Sequence, residues 1–465
     1  MSFIRALFSG VSGLKGHQTM MDVIGNNIAN INTVGFKAGR ATFADTFSQS
    51  LQHATSSDSE TRGGANPIQV GLGSGIGSIN NLFAQGNMQS TGLNTDLAVE
   101  GKGLFAVRNG NELYYSRAGN FSLDSQGKLI HSASGSILQG MIADQFGLFP
   151  NGTNVVDGII PGEDLDDVVI NPSQNLQAKQ TSTIVFDGNL DMNAALDSTI
   201  TTTTPIFDSM GNQWNLTVLL TKTTAASDGG QQTWTVSVVN ATRETDDPAA
   251  TVAGRYQLDI GEDRDIIFNE DGSINDDGWD QTDPDDVLEI DFNEFGAGTM
   301  KLKFSFGTEN TDSFDAADPA TWGPYDGVTG FAGTTSFGAK EQDGYTSGVL
   351  DDFFIDTFGK VVGKFSNGQT QTLAQVILAN FDNETGLDKL GSNLFAQTSN
   401  SGDPTFGAAG VASSAKIHGG TLEQSNVDLT EEFTNLIVAQ RGFQANAKII
   451  TTSDEMIQDL LNVKR

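Results

Sequence analysis

The sequence predicts a mainly β protein with an α-helix at each end. Residues 2–31 contain no proline and place apolar side chains at helical spacing, and a longer helical pattern begins at Leu429. Between them the apolar period shifts to two, and glycine-containing turns separate short segments. A chain of 465 residues is also too long for one compact domain. We therefore expect helical ends that flank a β-rich middle, with a nested insertion inside that middle.

The charge and the missing cysteines narrow the classes of function. The formal net charge is −33, which argues against nucleic-acid binding because phosphate recognition needs clustered cations. Most of the acidic excess lies between Pro161 and Tyr345, which hold 34 acidic and 8 basic residues. We interpret this segment as a solvated, self-repelling outer surface. The absence of cysteine excludes disulfides, thiolate metal sites and cysteine nucleophiles.

The N-terminal pattern predicts an amphipathic helix with a narrow apolar seam. Four apolar side chains recur seven residues apart: Leu7, Leu14, Met21 and Ile28. Four glycines each weaken the helix by about 1 kcal/mol relative to alanine: Gly10, Gly13, Gly16 and Gly25. Such a helix should need a partner.

The C-terminal pattern predicts a coiled-coil helix. Apolar residues occupy eight of ten positions in an alternating 4–3 spacing: Leu429, Phe433, Leu436, Gln440, Phe443, Ala447, Ile450, Asp454, Ile457 and Leu461. Asp428 is a candidate N-cap. The apolar seam of either helix could pack on a domain of the same chain. Both seams, however, are narrow, and the two helices lie at opposite ends of a β-rich chain. We therefore expect them to bury surface between subunits.

The middle of the chain predicts many short strands. Alternating or continuous apolar segments bounded by turns stand at Leu104–Val107, Tyr114–Arg117, Phe121–Leu123, Thr183–Phe186, Trp214–Leu220, Thr233–Val239, Val287–Phe292, Met300–Phe306, Val349–Ile355 and Ala374–Ala379. Residues 48–80 are rich in Ser, Thr, Gly and Gln, which favours a linker or an extended arm.

No constellation typical of catalysis or of metal binding is present in the sequence. The four histidines are His17, His53, His131 and His418, and no zinc-protease, P-loop or nucleophile-elbow motif occurs. The acidic run Asp259–Asp291 does not meet the order of ligands of a calcium loop, and within it Phe268–Gly272 followed by Ile274 favours a strand–turn–strand. We therefore expect a non-enzymatic protein without cofactor, catalytic or metal sites.

Both ends carry longer motifs. The run Asn26–Lys37 resembles the N-terminal signature of bacterial flagellar rod, hook and hook-associated proteins, and Leu422–Leu429 and Gln440–Lys448 resemble the start and middle of that family's C-terminal helix. The motif positions to which the resemblance assigns a role are Asn26, Asn27, Asn30, Thr33, Gly35, Phe36, Gln440, Arg441 and Asn446. Gln440 could set the register of the seam or face solvent.

Three further segments favour the hook members of this family over the shorter distal rod members. Glu100–Phe105 and Tyr115–Phe121 resemble the shared β-domain, and Phe207–Asn212 resembles an outer domain of hook proteins. The resemblance implies a helical coiled-coil inner domain (1–32 and 423–465), a β-rich middle domain (76–160 and 345–422) and an acidic β-rich outer domain (161–344). We place the linker or extended arm at 33–75. The resemblance is weakest at about 240–335, where the chain is longer and more acidic than is usual for the family, and we expect an extra subdomain there.

The resemblance also implies a function. Hook subunits leave the cell through the flagellar type III export apparatus without a cleaved signal and polymerise into a short curved tube. The tube joins rod to filament as a universal joint. The chain would then contact copies of itself through its seams, and also rod, hook-cap and hook–filament junction proteins. It would lie outside the cell without inserting into a membrane and would bind no nucleic acid.

Two alternatives stay open at this point. Within the same assembly, the chain could be a distal rod or hook–filament junction protein, which would be straight or present in few copies. From another class, an acidic calcium-dependent surface adhesin would gain stability from Ca²⁺ and keep its function without the terminal helices.

Overall fold

A computed structural model describes residues 2–54, 66–144, 147–149, 159–160, 165–224, 232–244, 255–269, 271–276, 287–307, 326–410 and 414–463. The chain divides into two compact units. The first comprises Met1–Pro172, Asp352–Gly363 and Gln371–Arg465, and the second comprises Ser173–Asp351 and Lys364–Thr370.

The first unit begins and ends with a long helix. Its elements are α1 Ser2–Ala29, β1 Gly39–Asp45, β2 Ser48–Gln52, β3 Ile68–Gly71, β4 Ser74–Asn81, β5 Met88–Ser90, β6 Leu97–Glu100, β7 Leu104–Asn109, β8 Glu112–Ser116, β9 Phe121–Leu123, β10 Leu129–His131, β11 Ile137–Ile142, β12 Ile159–Ile160, β13 Asp166–Asp167, β27 Thr370–Asn380, β28 Asp388–Gly391, β29 Leu394–Ala396, β30 Thr405–Ala408, β31 Lys416–Gly419, β32 Thr421–Glu423 and α2 Leu429–Val463.

The second unit is built from strands. They are β14 Asn175–Leu176, β15 Thr183–Asn189, β16 Thr199–Phe207, β17 Gln213–Thr224, β18 Gln232–Glu244, β19 Arg255–Phe268, β20 Ile274–Asp276, β21 Leu288–Asp291, β22 Thr299–Ser305, β23 Val328–Thr329 and β24 Gly338–Gln342. Strands β25 Gly348–Ile355 and β26 Lys360–Phe365 include residues of both units.

Distant parts of the chain pair within the first unit. Its larger sheet contains the order β27-β11-β7-β8-β29-β28, and small sheets pair β1 with β4 and β2 with β3. Two further pairs, β5 with β32 and β6 with β31, join segments near the two chain ends, with Gln89 opposite Leu422 and Ala98 opposite His418. The last strand before α2 is therefore held by the N-terminal part of the chain.

The second unit buries its apolar side chains between two five-stranded sheets. One has the order β16-β17-β18-β19-β20, and the other has the order β21-β22-β15-β23 with β24 also on β15. Burial alternates along β17, as its sequence pattern predicts, and both Trp214 and Trp234 are fully buried. The rings of Phe186 and Phe306 stack in the same core with centroids 5.0 Å apart.

The structure confirms a mainly β chain with a helix at each terminus. Each of the ten expected strands lies on a strand of the structure, and six of them agree with it within two residues at both ends. The other four, on β15, β17, β18 and β27, are shorter than the strand observed by three to five residues at one end. Helices α1 and α2 begin at Ser2 and Leu429. The described part of 240–335 contributes strands to the same two sheets and side chains to the same core as the rest of the second unit. Segment 33–75, expected to be a linker or extended arm, contains β1, β2 and β3, while its residues 55–65 lie outside the described part.

Candidate assembly surface

The two terminal helices contact each other through small residues. A Cβ atom added at Gly13 of α1 would lie 2.8 Å from Asn446 Nδ2, and one added at Gly10 would lie 3.3 Å from Ile450 Cγ1. On α2, a Cβ at Gly442 would lie 2.5 Å from the His17 ring. Gly10 and Gly13, two of the four glycines that weaken α1 as an isolated helix, therefore let the two helices approach closely.

The side of α2 that faces into the chain is lined by small or polar residues seven apart. Ala439 and Ser453 are buried, and Asn446 between them is half-buried beside Gly13. Sequence reasoning missed Ala439 and Ser453, because a search for apolar periodicity passes over alanine and serine. A repeat of small residues at heptad spacing was the signal that could have found them.

The seam residues expected from the sequence are at best half-buried within the chain. Those with intermediate exposure are Leu7, Leu14, Met21, Ile28, Leu436, Phe443, Ile450 and Ile457. Leu429 and Phe433 are exposed, and the side chain of Leu461 lies outside the described part. Further large apolar side chains on the helices are exposed: Phe8, Val11, Ile437, Val438, Ile449 and Met456. We call the exposed and half-buried apolar residues of α1 and α2 the helical stripe.

A second apolar surface lies on the hairpin β2–β3. Ile68 and Val70 stand two residues apart and share one face of the hairpin, where Gln49 is opposite Val70. Phe47, two residues before Gln49, extends the same face and is 79% exposed. A two-stranded hairpin is only marginally stable by itself in water. This hairpin face is therefore available to a partner.

Three buried charges join the ends of the chain to the β-strands of the first unit. Glu423, the last residue of β32, accepts hydrogen bonds from Lys37 Nζ at 2.8 Å and from the backbone N–H of Gly86 at 2.7 Å. Its second oxygen accepts a hydrogen bond from Arg117 Nε. All three side chains are at most 4% exposed. Arg117 also donates to the carbonyl oxygens of Val99, Gly101 and Gly103.

The same segments are joined by backbone and amide hydrogen bonds. The N–H of Gly35 donates to the carbonyl oxygen of Glu423 at 2.8 Å, and the N–H of Ala38 donates to Asn426 Oδ1 at 2.8 Å. Asn27 Nδ2 donates to Glu432 Oε1 at 2.8 Å. We call the contacts of 27–38 and Arg117 with 423–432 the clasp.

The clasp shifts the pKa values of its buried groups. Burial raises the pKa of Glu423, but the charges of Arg117 and Lys37 and their hydrogen bonds outweigh it and hold the pKa below its ordinary value. Burial lowers the pKa of Lys37, and Glu423 opposes this shift. Glu423 therefore stays ionised, as a carboxylate between two basic side chains must.

The N-terminal motif residues form the turn between α1 and β1. Asn30 Nδ2 donates to the Asn26 carbonyl oxygen at 2.9 Å, and Thr33 Oγ1 donates to Asn30 Oδ1 at 3.0 Å. Gly35 has a φ of +66°, and a Cβ there would lie 2.5 Å from the backbone nitrogen of Ala118. Only glycine fits this position. Phe36 is buried, with Lys389 Nζ 3.9 Å from its ring centroid.

The C-terminal motif residues divide between two sides of α2. Gln440 and Arg441 are exposed, and Arg441 Nη1 donates to Gln444 Oε1 at 3.2 Å. Asn446 lies against α1 and donates to the carbonyl oxygen of Gly442 at 3.0 Å. Within the chain, Gln440 does not meet α1.

The charged members of the clasp were not assigned a role from the sequence. Lys37, Arg117 and Glu423 all lie inside the motif segments that carry the family resemblance. Lys37 and Arg117 are single charges beside small or apolar residues, and Glu423 is a single charge among uncharged residues, which was the available signal. That signal does not name the partner, because Lys37 and Glu423 are 386 positions apart.

The described residues hold no group of three or more His, Asp or Glu side chains that could bind a metal ion. His17 lies between the helices and β1, with its ring 5.5 Å from that of Phe43. The turn after β19 is a hairpin, as expected, because β19 pairs antiparallel with β20. Neither helix, within its described residues, carries a stretch apolar enough to cross a bilayer.

Comparison with known protein families places four domains along the chain. Residues 7–37 match the flagella basal body rod protein family, and 98–182 match the flagellar hook protein FlgE/F/G D1 domain. Residues 172–345 match the flagellar basal body protein FlaE D2 domain, and 418–463 match the flagellar basal body rod FlgEFG protein C-terminal domain. The N-terminal match contains 27–37 of the clasp, the D1 match contains Arg117, and the C-terminal match contains 423–432.

Similar proteins extend over the whole chain. Flagellar hook protein FlgE of Treponema pallidum is 37% identical over 99% of this chain and 100% of its own length, and that of Salmonella typhimurium is 32% identical over 100% of both. A crystal structure of Helicobacter pylori flagellar hook protein FlgE2 matches the fold with a TM-score of 0.50 at 13% identity, over 71% of this chain and 99% of that one. The chain therefore belongs to the flagellar hook protein FlgE family.

Proposed function

We propose that this chain is the structural subunit of the bacterial flagellar hook, a curved flexible tube that transmits torque from rod to filament. The observation that carries the proposal is the end-to-end match to hook proteins, which includes the insertion at 172–345. The family is structural, and we propose a mechanical rather than a catalytic role. Bending requires weakly adhesive outer contacts, which a polar, acidic surface supports.

The terminal helices would form the inner wall of the tube as a coiled coil. Support comes from the way α1 and α2 meet: glycines of one helix lie at their closest contacts, and most of the helical stripe stays exposed or half-buried within the chain. Phe433 and Ile437 are 50% and 58% exposed, although apolar side chains of this size are normally buried. The hairpin face would add a second contact with a copy of this chain.

The β-rich parts would form a middle and an outer layer around the helices. The proposed outer domain, 161–344, overlaps the compact second unit, Ser173–Asp351, and the proposed middle domain, 76–160 and 345–422, falls largely in the first. The coiled coil would consist of 1–32 and 423–465, which include α1 and α2.

The proposed partners are other copies of this chain, then rod, hook-cap and hook–filament junction proteins, and the flagellar export apparatus. The chain would reach the cell exterior through that apparatus without a cleaved signal peptide. This follows from the family assignment, because hook proteins are parts of the flagellum.

A distal rod protein is the second candidate. Flagellar basal-body rod protein FlgG of Bacillus subtilis is 28% identical over 99% of this chain and 100% of its own length. A rod is straight and a hook is curved, so the shape of the polymer separates the two functions.

Negative-stain electron microscopy under polymerising conditions tests the proposal. The full-length chain should form short curved tubes, and a chain lacking about 30 residues at each end should form none, because it lacks the helical stripe. Straight tubes would favour the rod protein. Equal polymerisation of the truncated chain would contradict the role of the helices.

A further inference from the structure

We propose that the second unit pairs with the second unit of another copy of this chain through the free edge of strand β16. The two β16 strands would run antiparallel, with Thr201 of one copy opposite Thr201 of the other. The pairing is a property of the second unit and requires neither terminal helix. Its consequence for tube growth rests on the function proposed above.

Strand β16 forms one edge of the sheet β16-β17-β18-β19-β20, and its nine residues pair with β17 without a register shift. Just before β16, the carbonyl oxygen of Ser198 accepts a hydrogen bond from the N–H of Lys222. Because bonded positions alternate along an antiparallel strand, the even-numbered residues of β16 bond to β17 and the odd-numbered ones point away from it. Phe207 agrees with this alternation, since its N–H and its carbonyl oxygen both bond to Thr181.

The outward side of β16 carries backbone groups that are available for pairing. No other residue in the described part of the chain forms a hydrogen bond with the N–H or carbonyl oxygen of Thr199, Thr201 or Thr203, and their side chains are exposed. Pro205 has no N–H and limits this stretch at its C-terminal end. A row of unpaired N–H and C=O groups at a sheet edge is a template for a further strand.

The charges of this sheet lie toward its opposite edge. Strand β16 contains no charged residue, and seven of its nine residues are β-branched, which favours an extended strand. The only charged residue of β17 is Lys222, which is buried. Strand β19, in contrast, exposes four carboxylates: Asp259, Glu262, Asp263 and Asp265. Charged side chains discourage pairing at sheet edges, and β16 lacks this protection.

A second copy of the chain fits this edge better than a charged peptide does. A charged peptide would find no opposite charge on β16, whereas two copies can meet there away from the carboxylates of β19. The edge is also self-complementary. With Thr201 on a two-fold axis, Thr199 of each copy lies opposite Thr203 of the other, and each opposed pair exchanges both of its backbone hydrogen bonds. Threonines that face each other across strands add side-chain hydrogen bonds.

The two-fold symmetry separates this contact from the contacts of a tube. A two-fold interface is closed, because the same patch is used by both partners. It cannot repeat along a tube in which every copy points the same way. We therefore place the pair among the soluble chains, where it competes with tube growth.

The absence of cysteine allows the register to be tested on the soluble full-length chain. Oxidised Thr201→Cys should form a disulfide-linked dimer, because the Cα atoms of a hydrogen-bonded antiparallel pair lie about 5.5 Å apart, within the reach of a disulfide. Thr203→Cys is the matched control, since its two copies would lie more than about 13 Å apart along the strands. It should cross-link only when mixed with Thr199→Cys. No cross-link at residue 201, or equal cross-linking of all three variants by themselves, would overturn the proposal.

Sedimentation velocity measures the pairing without a cross-link. The wild-type chain, kept from polymerising, should change from monomer to dimer between about 1 µM and about 1 mM. Thr201→Pro should raise the dissociation constant at least about tenfold, because it removes an N–H that points away from β17 and leaves the sheet of its own chain intact. Thr201→Val keeps that N–H and should associate like the wild type. A monomeric wild-type chain, or an unchanged dissociation constant for Thr201→Pro, would contradict the pairing.

Tube formation tests the competition separately. Oxidised Thr201→Cys should form fewer tubes than the same protein after reduction, and equal tube formation would show that the pair does not compete. A wild-type chain that forms no tubes in the electron microscope would instead count against the function proposed above. It would leave the cross-linking and sedimentation results standing.

Discussion

Large apolar side chains are buried in the second unit but exposed on the terminal helices. In the sheet β16–β20, Trp214, Val218 and Trp234 are fully buried. On α2, Ile437 and Val438 are 58% and 57% exposed, and where α2 approaches α1 most closely one of the two contacting residues is a glycine. The same kinds of side chain therefore stabilise the fold in one region and remain available for association in the other.

The largest effect that we expect is on polymerisation. Leu436→Asp would place a carboxylate in the helical stripe, which we propose is buried between subunits. The concentration of protein needed for tubes should rise by about 100-fold or more, because burying an unpaired charge costs several kcal/mol. Pelleting across a concentration series, with electron microscopy of the pellets, measures this.

Two controls sharpen that result. Thr434→Asp adds the same charge at an exposed polar position of α2 and should change the required concentration far less. The denaturant midpoint of the second unit should be the same in both variants. Normal tubes from Leu436→Asp would contradict the assignment of the stripe to subunit contacts.

The opposite result is expected for the core of the second unit. Trp214→Ala should lower its free energy of unfolding by about 3–5 kcal/mol, the usual cost of deleting a buried aromatic ring. The ring contacts those of Phe292 and Phe295 at centroid distances of 4.9 and 4.8 Å, and Nε1 donates to Asp208. Urea titration of the soluble chain measures the change.

Met210→Ala serves as the control for that loss. Met210 is 64% exposed, so its truncation should change the stability by no more than about 0.5 kcal/mol. If both substitutions lowered the free energy of unfolding equally, the claim that buried apolar residues stabilise the second unit more than exposed ones would be contradicted.

Two glycine substitutions test the close approach of the helices. Gly442→Ala puts a Cβ 2.5 Å from the His17 ring and should lower helix stability by about 1–2 kcal/mol. A Cβ added at Gly25 has no neighbouring atom within 4 Å, so Gly25→Ala should raise the stability of the helix by up to about 1 kcal/mol through helix propensity. Far-UV circular dichroism melts of polymerised protein give both values. If Gly442→Ala instead raised the thermal stability of the helices, the close approach of Gly442 to His17 would not contribute to that stability.

The smallest effect is a pH dependence in the first unit. Burial raises the pKa of Asp167, but hydrogen bonds from Arg108, Gln139 and Lys128 outweigh it and lower the pKa from 3.8 to about 2. Because the folded-state value is the lower one, this stability is complete above about pH 4 and is lost as the pH falls toward 2. We expect a loss of about 1 kcal/mol, after allowing for solvent screening. Asp167→Asn should remove this part of the acid dependence in urea titrations at each pH.

The predictable part of the fold is the part with a strong apolar period. Strand β17 alternates buried and half-buried positions from Trp214 to Lys222, and the sequence pattern located it. Strands β1, β3 and β4 were not located, because segments such as Ser74–Asn81 consist mostly of glycine, serine and asparagine and carry little hydrophobic signal. Their pairing depends on neighbours such as α1, where the Phe43 ring lies against His17.

The candidate site was predictable to a similar degree. Spacing by seven identified large residues such as Leu436, because apolar side chains at heptad positions are visible in the sequence alone. The small buried residues Ala439 and Ser453 of α2 were not identified, since alanine and serine occur on any helix face. The buried charge of Glu423 could not be inferred from local pattern either, because its burial depends on two partners more than 300 positions away.

The pairing of Lys37 with Glu423 also sets a kinetic condition on folding. Closing a loop of 386 residues costs about 3 kcal/mol more chain entropy than closing one of a dozen, on the logarithmic scaling of loop closure. Contacts of such high contact order form late and slowly. A subunit should therefore complete its strands first and join its two ends last, so the rate of growth of the polymer is limited by an intramolecular search as well as by the arrival of new chains.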